Sequence, residues 1–180
     1  RWFFAQAGEP HHFNQAIALV LPTGLDPARL RQALFHVLDH HEAPRLRFVR
    51  GSDGAWRQSL GPRLRGPEDV SFTHASLAER SPAEQRAAIT SAARAWQASL
   101  HVGEGPLLRI GAFELGSHAV LVWVMHHLAV DAVSWRVLIE DLEASHAALV
   151  RGRPVELPPV ATPLAQWAAA LVERAGSEAI

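Results

Sequence analysis

Two adjacent histidines, His126 and His127, close an apolar run from Ala119 to Met125, and an aspartate, Asp131, follows four residues after the second. The run has the character of a buried strand, and a new helical pattern begins at Ser134. A strand that ends in His-His and turns into a helix delivers an imidazole to the rim of a sheet. There a neutral ring can take a proton from a substrate while the carboxylate fixes the loop. Successive strand side chains point to opposite faces, so only one of the pair can face a given cavity. The other is expected on the far side as a buried, hydrogen-bonded structural residue. Spacing alone favours packed, satisfied histidines over catalytic ones; the whole constellation shifts that reading.

The chain holds eleven histidines, with two further adjacent pairs at His11-His12 and His40-His41. Asp39-His40-His41-Glu42 offers metal-ligand types, and His36 and His40 share a helical face. No third ligand stands at a suitable interval. These are read as surface or helix-terminal histidines, and no metal site is expected. The absence of cysteine excludes disulfides, thiolate zinc sites and a cysteine nucleophile, and it suits a cytoplasmic setting.

At 180 residues the chain has the length of one ordinary domain. Seventeen basic and eighteen acidic side chains leave a net charge of -1, which gives no electrostatic case for nucleic acid or a membrane surface. The apolar run at Ala119 to Met125 is far too short to span a bilayer. The chain opens on Arg1-Trp2-Phe3-Phe4 rather than Met, apolar from its second residue. Natural termini are usually polar and loose, so a segment of a longer polypeptide is expected.

The elements that must position the histidines are legible. Phe13 to Leu21 alternates as a strand and stops at Pro22 and Gly24. Asp26-Pro27 starts a helix with Leu30, Ala33, Leu34, Val37, Leu38 and His41 on one face, ended by Pro44. Arg45 to Arg50 and Ala55 to Leu60 form a hairpin across a Gly-Ser-Asp-Gly turn. A short strand at Val70 to His74 precedes a helix from the capping box Ser81-Pro82-Ala83-Glu84 to about Leu100. Leu107 to Glu114 and Ala119 to Met125 are strands joined at Gly116. A helix from Ser134 to about Arg151 follows, burying Trp135, Leu138, Ile139, Leu142 and Leu149. The last helix, Pro163 to about Ala175, carries Leu164, Trp167, Ala168 and Leu171 on one side. These elements predict an α/β sandwich, helices packed on a mostly antiparallel sheet.

His126-His127-x-x-x-Asp131 resembles the His-His-x-x-x-Asp-Gly motif of the condensation-domain superfamily of nonribosomal peptide synthetases. His40-His41-Glu42-Ala43-Pro44-Arg45-Leu46-Arg47-Phe48 resembles its second signature, Arg/His-His-Glu-x-Leu-Arg-x-x-Phe, in the right order and at a matching interval. The run from Val133-Ser134-Trp135 to Leu142 is similar to that of the epimerization subgroup. So are Trp2-Phe3-Phe4, His12-Phe13-Asn14-Gln15 and Thr162 to Trp167.

The resemblance implies a chloramphenicol-acetyltransferase-like fold, of which residues 1–180 would be the N-terminal half, with the C-terminal half absent. It implies an aminoacyl or peptidyl thioester as substrate, carried on the phosphopantetheine of a peptidyl carrier protein domain. Neighbouring synthetase modules are implied as partners, and no cofactor is bound directly. Epimerization would convert the L to the D form. A thioester acidifies the adjacent Cα–H, and His127 would be the base that removes it. His126 would be structural. Asp131 would pair with an arginine, Arg45 being the best candidate, in a desolvated contact whose one-sided loss costs about 3–5 kcal/mol. The opposing acid is attributed to a glutamate of the absent half. Glu140 and Asp141 are read as solvated helix-surface carboxylates.

Two positions depart from the family. Ala132 stands for glycine, which would strain a left-handed backbone by about 1–2 kcal/mol. Pro44 stands for leucine and biases Ala43 to an extended conformation. The isolated chain is expected to be inactive. Two alternatives remain: a condensation domain using the same His127 to assist amine attack, and a vestigial domain with a structural role.

Overall fold

The computed structural model describes residues 2–6 and 8–177. Four strands form one sheet in the order β1 (Asn14–Leu21), β6 (Ala119–His126), β5 (Leu108–Glu114), β4 (Phe72–Ser76). β6 runs antiparallel to both neighbours, and β4 pairs parallel with β5. A separate hairpin joins β2 (Leu46–Arg50) to β3 (Trp56–Leu60). The expected α/β sandwich with a mostly antiparallel sheet is what forms.

Both faces of the central strand β6 are covered, as its near-continuous apolar run requires, while the edge strand β1 leaves Ala16, Ala18 and Val20 exposed. On one face Leu121, Trp123 and Met125 meet α2 (Pro27–His40) and α4 (Ala132–Val150) in the larger core. On the other, Val122 and Val124 meet α3 (Pro82–Ala98), which lays Ile89 and Trp96 against them. The helix starts follow from their caps. Asp26 accepts from the Ala28 and Arg29 amides ahead of α2, and Ser81 and Glu84 cap each other at α3.

Trp96 reaches the sheet only because Gly111 lies beneath it: a Cβ there would land inside the indole ring. Glycine is needed here for close approach.

The structure corrects several expectations. The helix after the His-His motif starts at Ala132 rather than Ser134, because Asp131 is already its N-cap. Ala132 is an ordinary first-turn residue, and among the described residues no non-glycine has positive φ; the anticipated strain is absent. Ala43 is not extended. Pro44 sits inside a 3-10 turn, Ala43–Arg45, where its missing N–H is not needed, and the Arg45 amide closes the turn onto the Glu42 carbonyl at 3.0 Å.

At the start of the chain, α1 (Trp2–Gln6) forms unannounced by any periodic pattern. It is held by Phe4 stacked on Trp56 at 4.0 Å between ring centroids. Arg1 and the side chain of Trp2 lie outside the described residues. α5 (Leu164–Gly176) forms as expected, but only Leu164 joins the core; Trp167 is 55% exposed.

Replacing Gly111 by alanine forces Trp96 off the sheet. Gly111→Ala is expected to lower stability by about 1–3 kcal/mol, read as a fall in the midpoint of urea unfolding. An unchanged midpoint would mean that Trp96 packs elsewhere.

Candidate functional site

β6 ends at His126, and the chain then turns tightly into α4. The turn is fixed by the Ala129 amide on the His126 carbonyl at 2.9 Å and by the His127 amide on the Phe13 carbonyl at 2.7 Å. Alternation separates the two imidazoles. His126 is fully buried, its Nε2 lying 2.8 Å from the Pro10 carbonyl and its Nδ1 accepting from the Leu128 amide at 3.2 Å. Burial pushes its pKa below the usual 6.5, opposed in part by the Pro10 carbonyl.

His127 is half-buried and stacks on Phe13 at 4.8 Å. Its Nδ1 lies 2.8 Å from the Val130 carbonyl, three residues along the same turn. A carbonyl only accepts, so Nδ1 carries the proton of the neutral ring and Nε2 carries the basic lone pair. Nε2 lies 2.9 Å from Gln15 Nε2, and the other end of that amide, Oε1, accepts from Trp135 Nε1 at 2.8 Å.

Gln15 stands in the His12-Phe13-Asn14-Gln15 run, which gives it no role at the site, yet it contacts both His127 and Trp135. A signal is present in the sequence nonetheless: it is the one polar residue on the β1 face that otherwise presents Ile17, Leu19 and Leu21 to the core. A lone polar side chain on an apolar strand face needs a partner, and here that partner is the site.

Asp131 and Arg45 do not meet. The Asp131 carboxylate accepts from both the Ser134 amide and the Ser134 hydroxyl, each at 2.7 Å, and these bonds hold it below the usual carboxylate range. It is a solvent-exposed N-cap rather than half of a desolvated ion pair. Arg45, directed by its 3-10 turn toward the hairpin, donates to the Gly61 carbonyl at 3.2 Å. The cap satisfies α4 locally, so no buried counter-charge is required.

The second signature ties helices together. His41, the C-cap of α2, places Nε2 2.7 Å from Asp141 on α4. Asp141 is only 8% exposed, which corrects its reading as a surface carboxylate. Glu140 does face solvent and pairs with Arg136. Glu42 accepts from the Leu164 amide at 2.8 Å and so seats the first turn of α5. A cavity of about 240 Å³ opens between these elements, lined by His41, Pro44, Ala129, Asp131, Ser134 and Leu138 among others.

A family model, the condensation domain, matches residues 1–180. Chondramide synthase cmdD of Chondromyces crocatus is 41% identical over 181 residues, covering 99% of this chain and 4% of that protein. A linear gramicidin synthase of Brevibacillus parabrevis is 38% identical over 182 residues, covering 99% and 2%. Among solved structures, the epimerization domain from the third module of tyrocidine synthetase B superposes with a TM-score of 0.86 at 32% identity, covering 98% of this chain and 40% of that one. The starter condensation domain of rhizomide synthetase shares the fold, with a TM-score of 0.80 at 21% identity, covering 98% and 42%. The chain thus spans a small part of the synthetases and under half of the solved domains.

Two outcomes follow from the site's geometry. Asp131→Ala removes a helix cap and no buried ion pair, so its cost should be about 0.5–2 kcal/mol, short of the roughly 3–5 kcal/mol of a broken buried pair; denaturant titration distinguishes the two. His126 is held neutral, with a folded pKa below its unfolded 6.5. Its contribution is therefore present above 6.5 and is lost as pH falls through the folded value. The thermal midpoint should drop below pH 6.5, and His126→Asn should blunt that drop; equal slopes in both proteins would refute the assignment.

Proposed function

The chain belongs to the condensation-domain family of nonribosomal peptide synthetases, and from that premise we propose that it is the N-terminal part of an epimerization domain acting on a carrier-bound aminoacyl or peptidyl thioester. His127 Nε2 takes the Cα proton of the L substrate. The electron pair left on Cα is delocalised into the thioester carbonyl as an enolate. A proton returned to the opposite face by an acid from outside this chain then gives the D form. Through the step, Nδ1–H stays on the Val130 carbonyl, so the imidazolium that forms remains anchored.

The observation that carries this reading is the contact of His127 Nδ1 with the Val130 carbonyl at 2.8 Å. That carbonyl fixes the ring proton at one nitrogen, leaving the lone pair at the end of a sheet strand. The run from Val133 to Leu142 and the 32% identity to a solved epimerization domain are consistent with inversion, and the family match accommodates peptide-bond formation equally. The substrate is presented on the phosphopantetheine of a peptidyl carrier protein domain, and neighbouring synthetase modules supply and consume it. His126, Asp131, Ser134 and Trp135 support the base, and Arg45 braces the end of the β2–β3 hairpin.

The test uses the whole synthetase that carries this chain, with its carrier domain loaded with an L-amino acid. Hydrolysis of the thioester and chiral separation should show a mixture of L and D forms. His127→Ala should slow its appearance by about 10²–10⁴-fold. Peptide bond formation with the configuration retained would overturn the reading in favour of condensation, and no turnover of either kind would favour a vestigial, structural domain.

A further inference from the structure

We propose that Gln15, aimed by the indole of Trp135, is a positioning residue that selects the tautomer of His127 and caps its lone pair at rest; this rests on the reading of His127 as the base. The directions of the bonds leave one solution. An indole N–H can only donate, so the Gln15 atom 2.8 Å from Trp135 Nε1 is the amide oxygen. The NH2 end then faces His127 Nε2 at 2.9 Å, and because it can only donate, Nε2 must accept. At the far side of the ring, Val130 demands a proton on Nδ1. Two constraints, one through Gln15 of β1 and one from the turn before α4, specify the same tautomer.

The chain of contacts is built on rigid parts. Trp135 is 7% exposed and stands edge-on to Trp123 at 5.7 Å and 83°, so its N–H keeps one direction. Its place in the first turn of α4 is set by the Asp131 cap, and its own amide reaches the Asp131 carbonyl at 3.1 Å. Gln15 is held in β1 opposite Met125 by the strand register. A ring protonated at both nitrogens would set Nε2–H against the Gln15 N–H. A substrate Cα–H reaches the lone pair only by displacing that amide.

Two variants of the full chain test this. Gln15→Glu keeps the shape but puts a carboxylate against Nε2, which favours imidazolium; the acid limb of the activity–pH profile should move up by about one to three units. Trp135→Phe keeps an aromatic ring but removes the N–H, freeing the Gln15 amide to turn over. Nitrogen-15 NMR of histidine-labelled chain should show a single Nδ1–H tautomer for His127 in the parent and a second population in Trp135→Phe. A parent ring protonated on Nε2, or variants matching the parent in both readouts, would overturn the proposal. The NMR arm needs no substrate. If it succeeds while no carrier-bound amino acid is inverted, the functional reading fails and the positioning role stands.

Discussion

The antiparallel pairing of β1 with β6 is the constraint on which the site rests. In its register Asn14 faces His126 and Gln15 faces Met125, so the β1 side chain that reaches His127 is a glutamine on the core side. A slip of β6 by one residue would exchange its two faces. His126 would then turn toward Trp135 and α4, and His127 would be driven into the pocket that Pro10 now closes. Register is strongly specified because both faces of β6 are buried: Trp123 and Met125 on one side and Val122 and Val124 on the other have no alternative position. The cores thereby determine which histidine presents a lone pair.

Local caps then convert a correct strand into a correct ring. Asp131 commits its carboxylate to Ser134, which starts α4 directly after the turn and brings the Val130 carbonyl to His127 Nδ1. The second signature does similar work at longer range. His41 joins the end of α2 to Asp141 within α4, and Glu42 joins the same corner to α5. Residues that read in sequence as metal-ligand types or surface histidines are here the joints between three helices.

Most of the architecture is legible in the sequence because the patterns are local. The apolar faces of α2 and β6, the Ser81–Glu84 box and the Gly-Ser-Asp-Gly turn each carry their own signal. The partners of charged groups are not legible in the same way. The motifs suggest a distant arginine for Asp131, whereas a serine three residues on is the nearer satisfaction. Asp141 reads as a surface residue because helical periodicity cannot say that a histidine from another helix waits 2.7 Å away. The part played by Gln15 is hidden for the same reason: its meaning depends on Trp135, 120 residues further on. Side-chain hydrogen bonds across sequence distance have no periodic trace.

The burial of β6 on both faces bears on when the site is lost. An interior strand paired on each edge opens only when much of the fold opens, whereas loop-borne groups fray at far lower cost. His127 hangs from the end of such a strand, with its amide on the residue before β1 and its ring on the adjoining turn. Amide exchange in residues 119–126 would accordingly be governed by whole-molecule opening. His127 is thus coupled to the last part of the sheet to let in solvent, and warming would remove its geometry in one cooperative event rather than by gradual loosening.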